Sequence, residues 1–170
     1  MPGKIPRMNA VTIQREPLDS PVALELIIAL NRELDERYPE EGANHFRLDP
    51  AEVAPGRGGF FVARRGATPV GCGAVRLVDA GAAEIKRMYV PPALRGQGIA
   101  SRLLAHLEVE ARQLGATRLV LETGERQFES VALYRRAGFV EITRYGEYVD
   151  SPLSLCMGKA LADEVRAGQA

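Results

Sequence analysis

Cysteine, histidine and tryptophan are scarce: two, two and none in 170 residues. Cys72 and Cys156 are too few for a disulfide framework or a four-cysteine zinc site. Neither HExxH nor CxxC occurs, so no metal is expected. Long apolar runs are missing too. The longest, Val22 to Leu30, is interrupted by Glu25 and falls far short of the roughly 20 residues a membrane helix needs. The opening segment, MPGKIPRMNA, has no apolar stretch of the kind a secretory signal carries and reads as a loose leader. No charge of one sign dominates: 22 Lys and Arg stand against 22 Asp and Glu. That balance speaks against binding driven by phosphate neutralisation. A cytoplasmic protein with no nucleic-acid and no membrane partner is the expectation.

Apolar residues make up 46% and charged residues 26%, ordinary for a globular chain. No repeat and no linker divides residues 1–170, so one domain is expected. VTIQRE (11–16) alternates apolar and polar residues, as a strand does. Ser20 and Pro21 form a helix start, and the apolar spacing predicts a helix over 21–38. A polar connection follows over 39–58, with room for a short helix. GFFVARR (59–65), VGCGAVRLV (70–78) and AEIKRMYV (83–90) read as an antiparallel meander, because their connections are too short for crossover helices. Ile99, Leu103, Leu104, Leu107, Ala111 and Leu114 share one helix face, ended by Gly115. RLVLET (118–123) is a strand, Phe128 to Ala137 a helix, and FVEITRY (139–145) and LSLCMGK (153–159) the last strands. The tail after Leu161 is polar and expected to fray. The class is α+β with a mixed sheet.

The segment that carries chemistry is Tyr89 to Ala100, YVPPALRGQGIA, where a strand runs through a Gly-rich turn into a helix. The first amides of a helix have no internal partners and sit at the positive end of its dipole. Gly96 and Gly98 let the backbone approach a ligand, and a phosphate is the natural guest. The alternative is a tight structural turn. The P-loop pattern GxxxxGK[ST] is absent. A dinucleotide fingerprint nearly forms at Gly96-x-Gly98-x-x-Ser101, but it follows three meander strands instead of opening a βαβ unit.

Arg95-Gly96-Gln97-Gly98-Ile99-Ala100 resembles the acetyl-CoA motif of the GNAT (Gcn5-related) N-acetyltransferase family, Gln/Arg-x-x-Gly-x-Gly/Ala. Ala132-Leu133-Tyr134-Arg135-Arg136-Ala137-Gly138-Phe139 is similar to its second block, LY-x-x-x-GF. The likeness covers residues 59–159 well and the first third by element order only. It implies a mostly antiparallel sheet flanked by helices and acetyl-CoA as cosubstrate. The Arg95–Ala100 amides would hold the pyrophosphate, with Arg95 adding charge and Ser101 assisting. Met88, Tyr89 and Val90 would pair with the pantetheine arm, and the Val90 amide would polarise the thioester carbonyl. The strands at 83–90 and 118–123 would splay to admit the thioester. Where many members have Asn, seven residues before Tyr134, this chain has Gln127, a longer amide for the same contact.

Tyr134 would protonate the leaving thiolate, or else it is a core tyrosine beside Val131. Glu84 is placed where the family often has its base. By period-2 alternation it shares a face with Lys86, Met88 and Val90, and Lys86 would equally make it one half of an ion pair. Cys72 and Cys156 read as inert packing, and His106 as a surface residue. His45, Glu40 and Glu41 lie in the polar connection, where an acidic pair would attract a cationic amine. Arg87, Arg144, Tyr145 and Tyr148 would line the opposite wall, with Arg87 suited to a carboxylate. The resulting expectation is acetyl transfer to a small-molecule amine. The alternatives are a protein or peptide N-acetyltransferase and a non-catalytic acyl-CoA sensor. A homodimer, paired through the final strand, is left open.

Overall fold

A computed structural model describes residues 10–40 and 47–161. The expected leader over most of 1–10, His45 and Glu41 in the connection, and the tail after Leu161 lie outside the described residues. The described chain forms a seven-stranded sheet. In chain order the elements are β1 (Val11–Arg15), α1 (Pro21–Arg37), β2 (Gly58–Arg65), β3 (Thr68–Leu77), β4 (Ala82–Tyr89), α2 (Ile99–Gln113), β5 (Arg118–Thr123), α3 (Phe128–Arg136), β6 (Val140–Glu141) and β7 (Leu155–Ala160). The strand order is β1-β2-β3-β4-β5-β7-β6, and every pairing is antiparallel except β4 with β5.

Helix α1 begins where Ser20 accepts a hydrogen bond from the Ala23 amide at 3.1 Å, with Pro21 in the first turn. It buries Ala23, Leu26 and Leu30 against Phe60, Val62 and Ala74 on one face of the sheet. Helix α2 packs on the other face, where Leu104 and Leu107 meet Phe61, Val75 and Ile85. Each such side chain taken out of water stabilises the fold by about 1.5–3 kcal/mol before ordering costs. His106 is less exposed than expected: its ring stacks edge-on against Phe61 at 4.6 Å.

Two details depart from the sequence pattern, and both shape the site. First, β4 contains a bulge. Cys72 of β3 pairs with Tyr89 and Ala74 with Lys86, so Gly73 faces both Arg87 and Met88. Arg87 takes φ +57° to make the extra step. A Cβ on Gly73 would lie 2.7 Å from the Met88 sulfur, so glycine is needed there. The bulge resets the alternation. Met88 and Val90 pack on the α2 side, Tyr89 packs on the α1 side, and Met88 does not share a face with Glu84 as period 2 predicts.

Second, the strand expected over 139–145 stops after Glu141, with one further bond from Ile142 to the Cys156 carbonyl. Arg144 turns back to donate to the Ser154 and Pro152 carbonyls, both at 2.9 Å. Residues 143–154 thereby become a folded loop instead of a strand. A short 3-10 turn, Pro50–Val53, occupies the polar connection, where the sequence leaves room for a short helix.

Candidate active site

β4 and β5 pair in parallel only from Ala82 opposite Arg118 to Ile85 opposite Leu121. Beyond that point β4 bends through its bulge, while Glu122 and Thr123 pair with β7 alone. The strands splay, and a slot opens between them. Arg87 and Met88 line it from β4, Glu122 from β5, Tyr134 from α3, Leu34 from α1 and Tyr148 from the 143–154 loop. Every sequence-predicted cofactor residue except Gln97 lines a second cavity. Leu30, Met88, Gln127, Ser130 and Tyr134 belong to both, so the two spaces meet beside Tyr134. Gln97 accepts a hydrogen bond from Arg65 at 2.8 Å.

The Gly-rich turn has the geometry the sequence implies. Gly96 and Gly98 take φ +81° and +80°, in the left-handed region that glycine enters without a Cβ penalty. Gly98 caps α2 without a side-chain hydrogen bond, and the first helical bond of α2 runs from the Arg102 amide to Gly98. The Gly96–Ser101 amides therefore have no protein acceptor among the described residues. The Arg95 amide is engaged, bonding Pro92 at 3.3 Å. The Arg95 side chain differs from its expected role as a phosphate donor. Its Nε donates to the Val90 carbonyl at 2.9 Å, and one Nη donates to both oxygens of Glu33 at 2.8 and 2.9 Å. It clamps the turn to α1.

Glu84 is sealed off. It is 1% exposed, accepts from Arg76 Nε at 2.9 Å and from the Tyr145 hydroxyl at 2.5 Å, and does not line the slot. The ion-pair alternative describes this geometry, with Arg76 on the neighbouring strand as partner instead of Lys86. Arg76 also pairs with Glu52, from the 3-10 turn. Lys86 instead reaches Glu147 at 3.3 Å, the Tyr148 hydroxyl at 3.3 Å and the Arg47 carbonyl at 3.1 Å. Breaking a buried pair on one side costs about 3 kcal/mol, because the other charge stays buried. Glu84→Ala is expected to lower stability by that order, read as a shifted urea midpoint. An unmoved midpoint would contradict a structural role.

The carboxylate that does face the slot is Glu122, which the sequence reading did not single out. Burial is the largest influence on it and pushes its pKa up to about 7, against a lowering hydrogen bond from Ser154 at 3.0 Å. The available signal was that Glu122 is the one acid in the apolar run RLVLET. Across from it, the Tyr134 ring packs edge-on against Phe139 at 5.7 Å. Burial, reinforced by the Glu122 charge, holds the Tyr134 phenol above its ordinary pKa, so it stays protonated at neutral pH. Tyr145 points at Glu84 instead of the slot. Glu40 is held by Arg126 at 2.5 Å and is not set to attract an amine. Among the described residues no group of His, Cys, Asp and Glu could hold a metal, and no helix is long and apolar enough to cross a membrane.

A cavity over a helix start thus joins a slot between splayed parallel strands. The acetyltransferase (GNAT) family model matches residues 24–139, and the chain belongs to that family. It is 44% identical over 155 residues to an IAA acetyltransferase of Azospirillum brasilense, covering 91% of this chain and 100% of that protein. A Klebsiella pneumoniae structure described as an acyl-CoA N-acyltransferase superposes with a TM-score of 0.75 at 33% identity, over 89% of this chain and 98% of that one. A GNAT acetyltransferase of Elizabethkingia anophelis, with acetyl-CoA bound, shares the fold at a TM-score of 0.64 and 20% identity, over 89% and 98%. The chain is thus an acetyltransferase of the GNAT type.

Proposed function

We propose that this enzyme transfers an acetyl group from acetyl-CoA to the amine of a small molecule, by direct attack in a ternary complex. The observation that carries this reading is the meeting of the two cavities at Tyr134, with Glu122 on the facing wall. The pyrophosphate would lie on the Gly96–Ser101 amides, and the pantetheine arm would run along Met88–Val90 past Gln127 into the slot. Glu122, directly or through water, takes the proton of the ammonium. The amine nitrogen then bonds to the thioester carbon while the Val90 amide stabilises the oxyanion. As the carbon–sulfur bond breaks, Tyr134 gives its proton to the thiolate, and the acylated nitrogen, still carrying one proton too many, passes it through water to the Tyr134 phenolate, so that the proton on Glu122 is the one released to solvent. No acyl-enzyme is needed, since Cys72 is fully buried with its thiol pushed up to about 12 by burial. α1 and the 143–154 loop flank the slot, which favours a small acceptor over a peptide, and the name of the Azospirillum relative fits a small molecule.

The test is release of free thiol from acetyl-CoA with a panel of amines and peptide N-termini, from pH 5.5 to 9. Glu122 must be ionised to act, so kcat/KM is expected to rise with pH through an inflection near 7. Glu122→Gln is expected to lower it by about 10²-fold and flatten that inflection. The same variant should gain stability. The folded carboxyl holds its proton longer than the unfolded one, so wild-type stability falls as pH rises from about 4.5 towards 7 and stays lower above it. Gln removes that loss, a gain of about 1–3 kcal/mol at pH 8 measured by urea unfolding. A variant with full activity or an unchanged pH profile would remove Glu122 from the mechanism.

A further inference from the structure

We propose that Lys86 is a positioning residue of the transfer reaction: its ammonium, fixed where β4 and β5 fork, sets the pH range over which Glu122 can take the acceptor's proton. This rests on the role given to Glu122 above and deepens it. The pairing of β4 with β5 ends at Ile85 opposite Leu121, so the next residue on each strand is Lys86 and Glu122. Laterally adjacent residues of a sheet share a face, and both of these line the slot. A cation and an acid therefore stand side by side at the fork.

The ammonium is held in place. The Lys86 side chain is 6% exposed. Its contacts with the Arg47 carbonyl, Glu147 and the Tyr148 hydroxyl match the three protons it carries. Burial works against its charge, so keeping a cation here has a cost that an apolar side chain would avoid.

The charges that face Glu122 come from two elements. On β4, Lys86 and Arg87 favour its ionised form and Glu84 opposes it. In the 143–154 loop, Glu147 opposes it too. The charge of Lys86 weighs most among them. Tyr134 on α3, Tyr38 at the end of α1, Tyr148 in the loop and Cys156 on β7 also face it. Burial raises the pKa of each, so they bring no charge at neutral pH.

The experiment records kcat/KM against pH, as thiol release from acetyl-CoA, for the wild type and four variants: Lys86→Gln, Lys86→Arg, Glu147→Gln and Glu122→Gln. A glutamine amide keeps two donors for the loop and the Arg47 carbonyl but carries no charge. Lys86→Gln is expected to raise the inflection by about 1 unit. Its kcat/KM then falls about fivefold at pH 7 and recovers by pH 9. Glu147→Gln is expected to lower the inflection by a few tenths, and Lys86→Arg to leave it near the wild-type value. If Lys86 served only to tie down the loop, both neutral variants would let water reach Glu122, and both inflections would fall together. An unmoved or lowered inflection in Lys86→Gln overturns the inference, as does a raised one in Glu147→Gln. Thermal unfolding reports on the fold of each variant. Glu147 is 44% exposed, so its variant stays readable even if Lys86→Gln does not fold. If Glu122→Gln keeps the wild-type profile, the role of Glu122 falls instead, and this inference with it.

Discussion

Gly98→Asp is expected to abolish acetyl-CoA binding and to leave the unliganded fold standing. The two halves of that result have separate causes. A Cβ at Gly98 meets nothing within 4 Å, so the protein has room for a side chain. Its φ of +80° costs a non-glycine residue about 1 kcal/mol, though Asp is among the residues that tolerate it best. A carboxylate at the start of α2 meets the positive end of the helix dipole and returns about 0.3–1 kcal/mol. The melting temperature should therefore move by only a few degrees. The ligand fares differently. The new carboxylate stands among the amides meant for the pyrophosphate and carries the same sign of charge. Losing two charge-assisted hydrogen bonds of about 2 kcal/mol each weakens binding by about 10³-fold, before repulsion is added. Calorimetry with acetyl-CoA reads this directly. Retained affinity would mean that the pyrophosphate sits elsewhere. A collapsed melting curve would mean that the turn matters to the fold alone.

Tyr134→Phe separates chemistry from binding. The ring contact with Phe139 survives the change, and the lost hydroxyl has no hydrogen-bond partner among the described residues. Stability should hold or rise slightly. Acetyl-CoA affinity should stay close to wild type, because the Gly96–Ser101 amides are untouched. Proton delivery to the leaving thiolate is what disappears, and a positioned general acid typically contributes about 10²–10⁴-fold to the rate. The expected signature is a fall in kcat of that order at saturating acetyl-CoA. An unchanged kcat would assign the thiolate proton to water or to another group.

Much of the fold was legible because its cues are local. Ser20 and Pro21 open α1, the spacing from Ile99 to Ala111 draws α2, and short connections force the β2–β4 meander. The cofactor turn was legible for the same reason: glycine is the residue that enters the positive φ of Gly96 and Gly98 without a Cβ penalty. What escaped depends on register and tertiary neighbours. Period-2 counting cannot see one extra residue in β4, yet the bulge decides that Met88 and Glu84 face opposite sides. Sequence alone leaves Glu84 between a base and an ion-pair member, and only the pairing of Arg76 with Glu84 across β3 and β4 supplies its partner. Glu122 acquires its raised pKa mainly from burial, with the charges of Glu84 and Glu147 adding to it, all of them tertiary effects. The strand expected through Tyr145 was undone by Arg144, whose side chain bonds the carbonyls of its own loop.

The central claim is that the turn before α2 and the adjoining slot form an acetyl-CoA site. Calorimetric titration of the wild-type protein with acetyl-CoA, against desulfo-CoA and NADH, tests it most directly. The account predicts saturable binding of acetyl-CoA and desulfo-CoA, which share the pyrophosphate and pantetheine, and none of NADH, which lacks the arm that runs along Met88–Val90. Absence of acetyl-CoA binding, or equal binding of NADH, would contradict it.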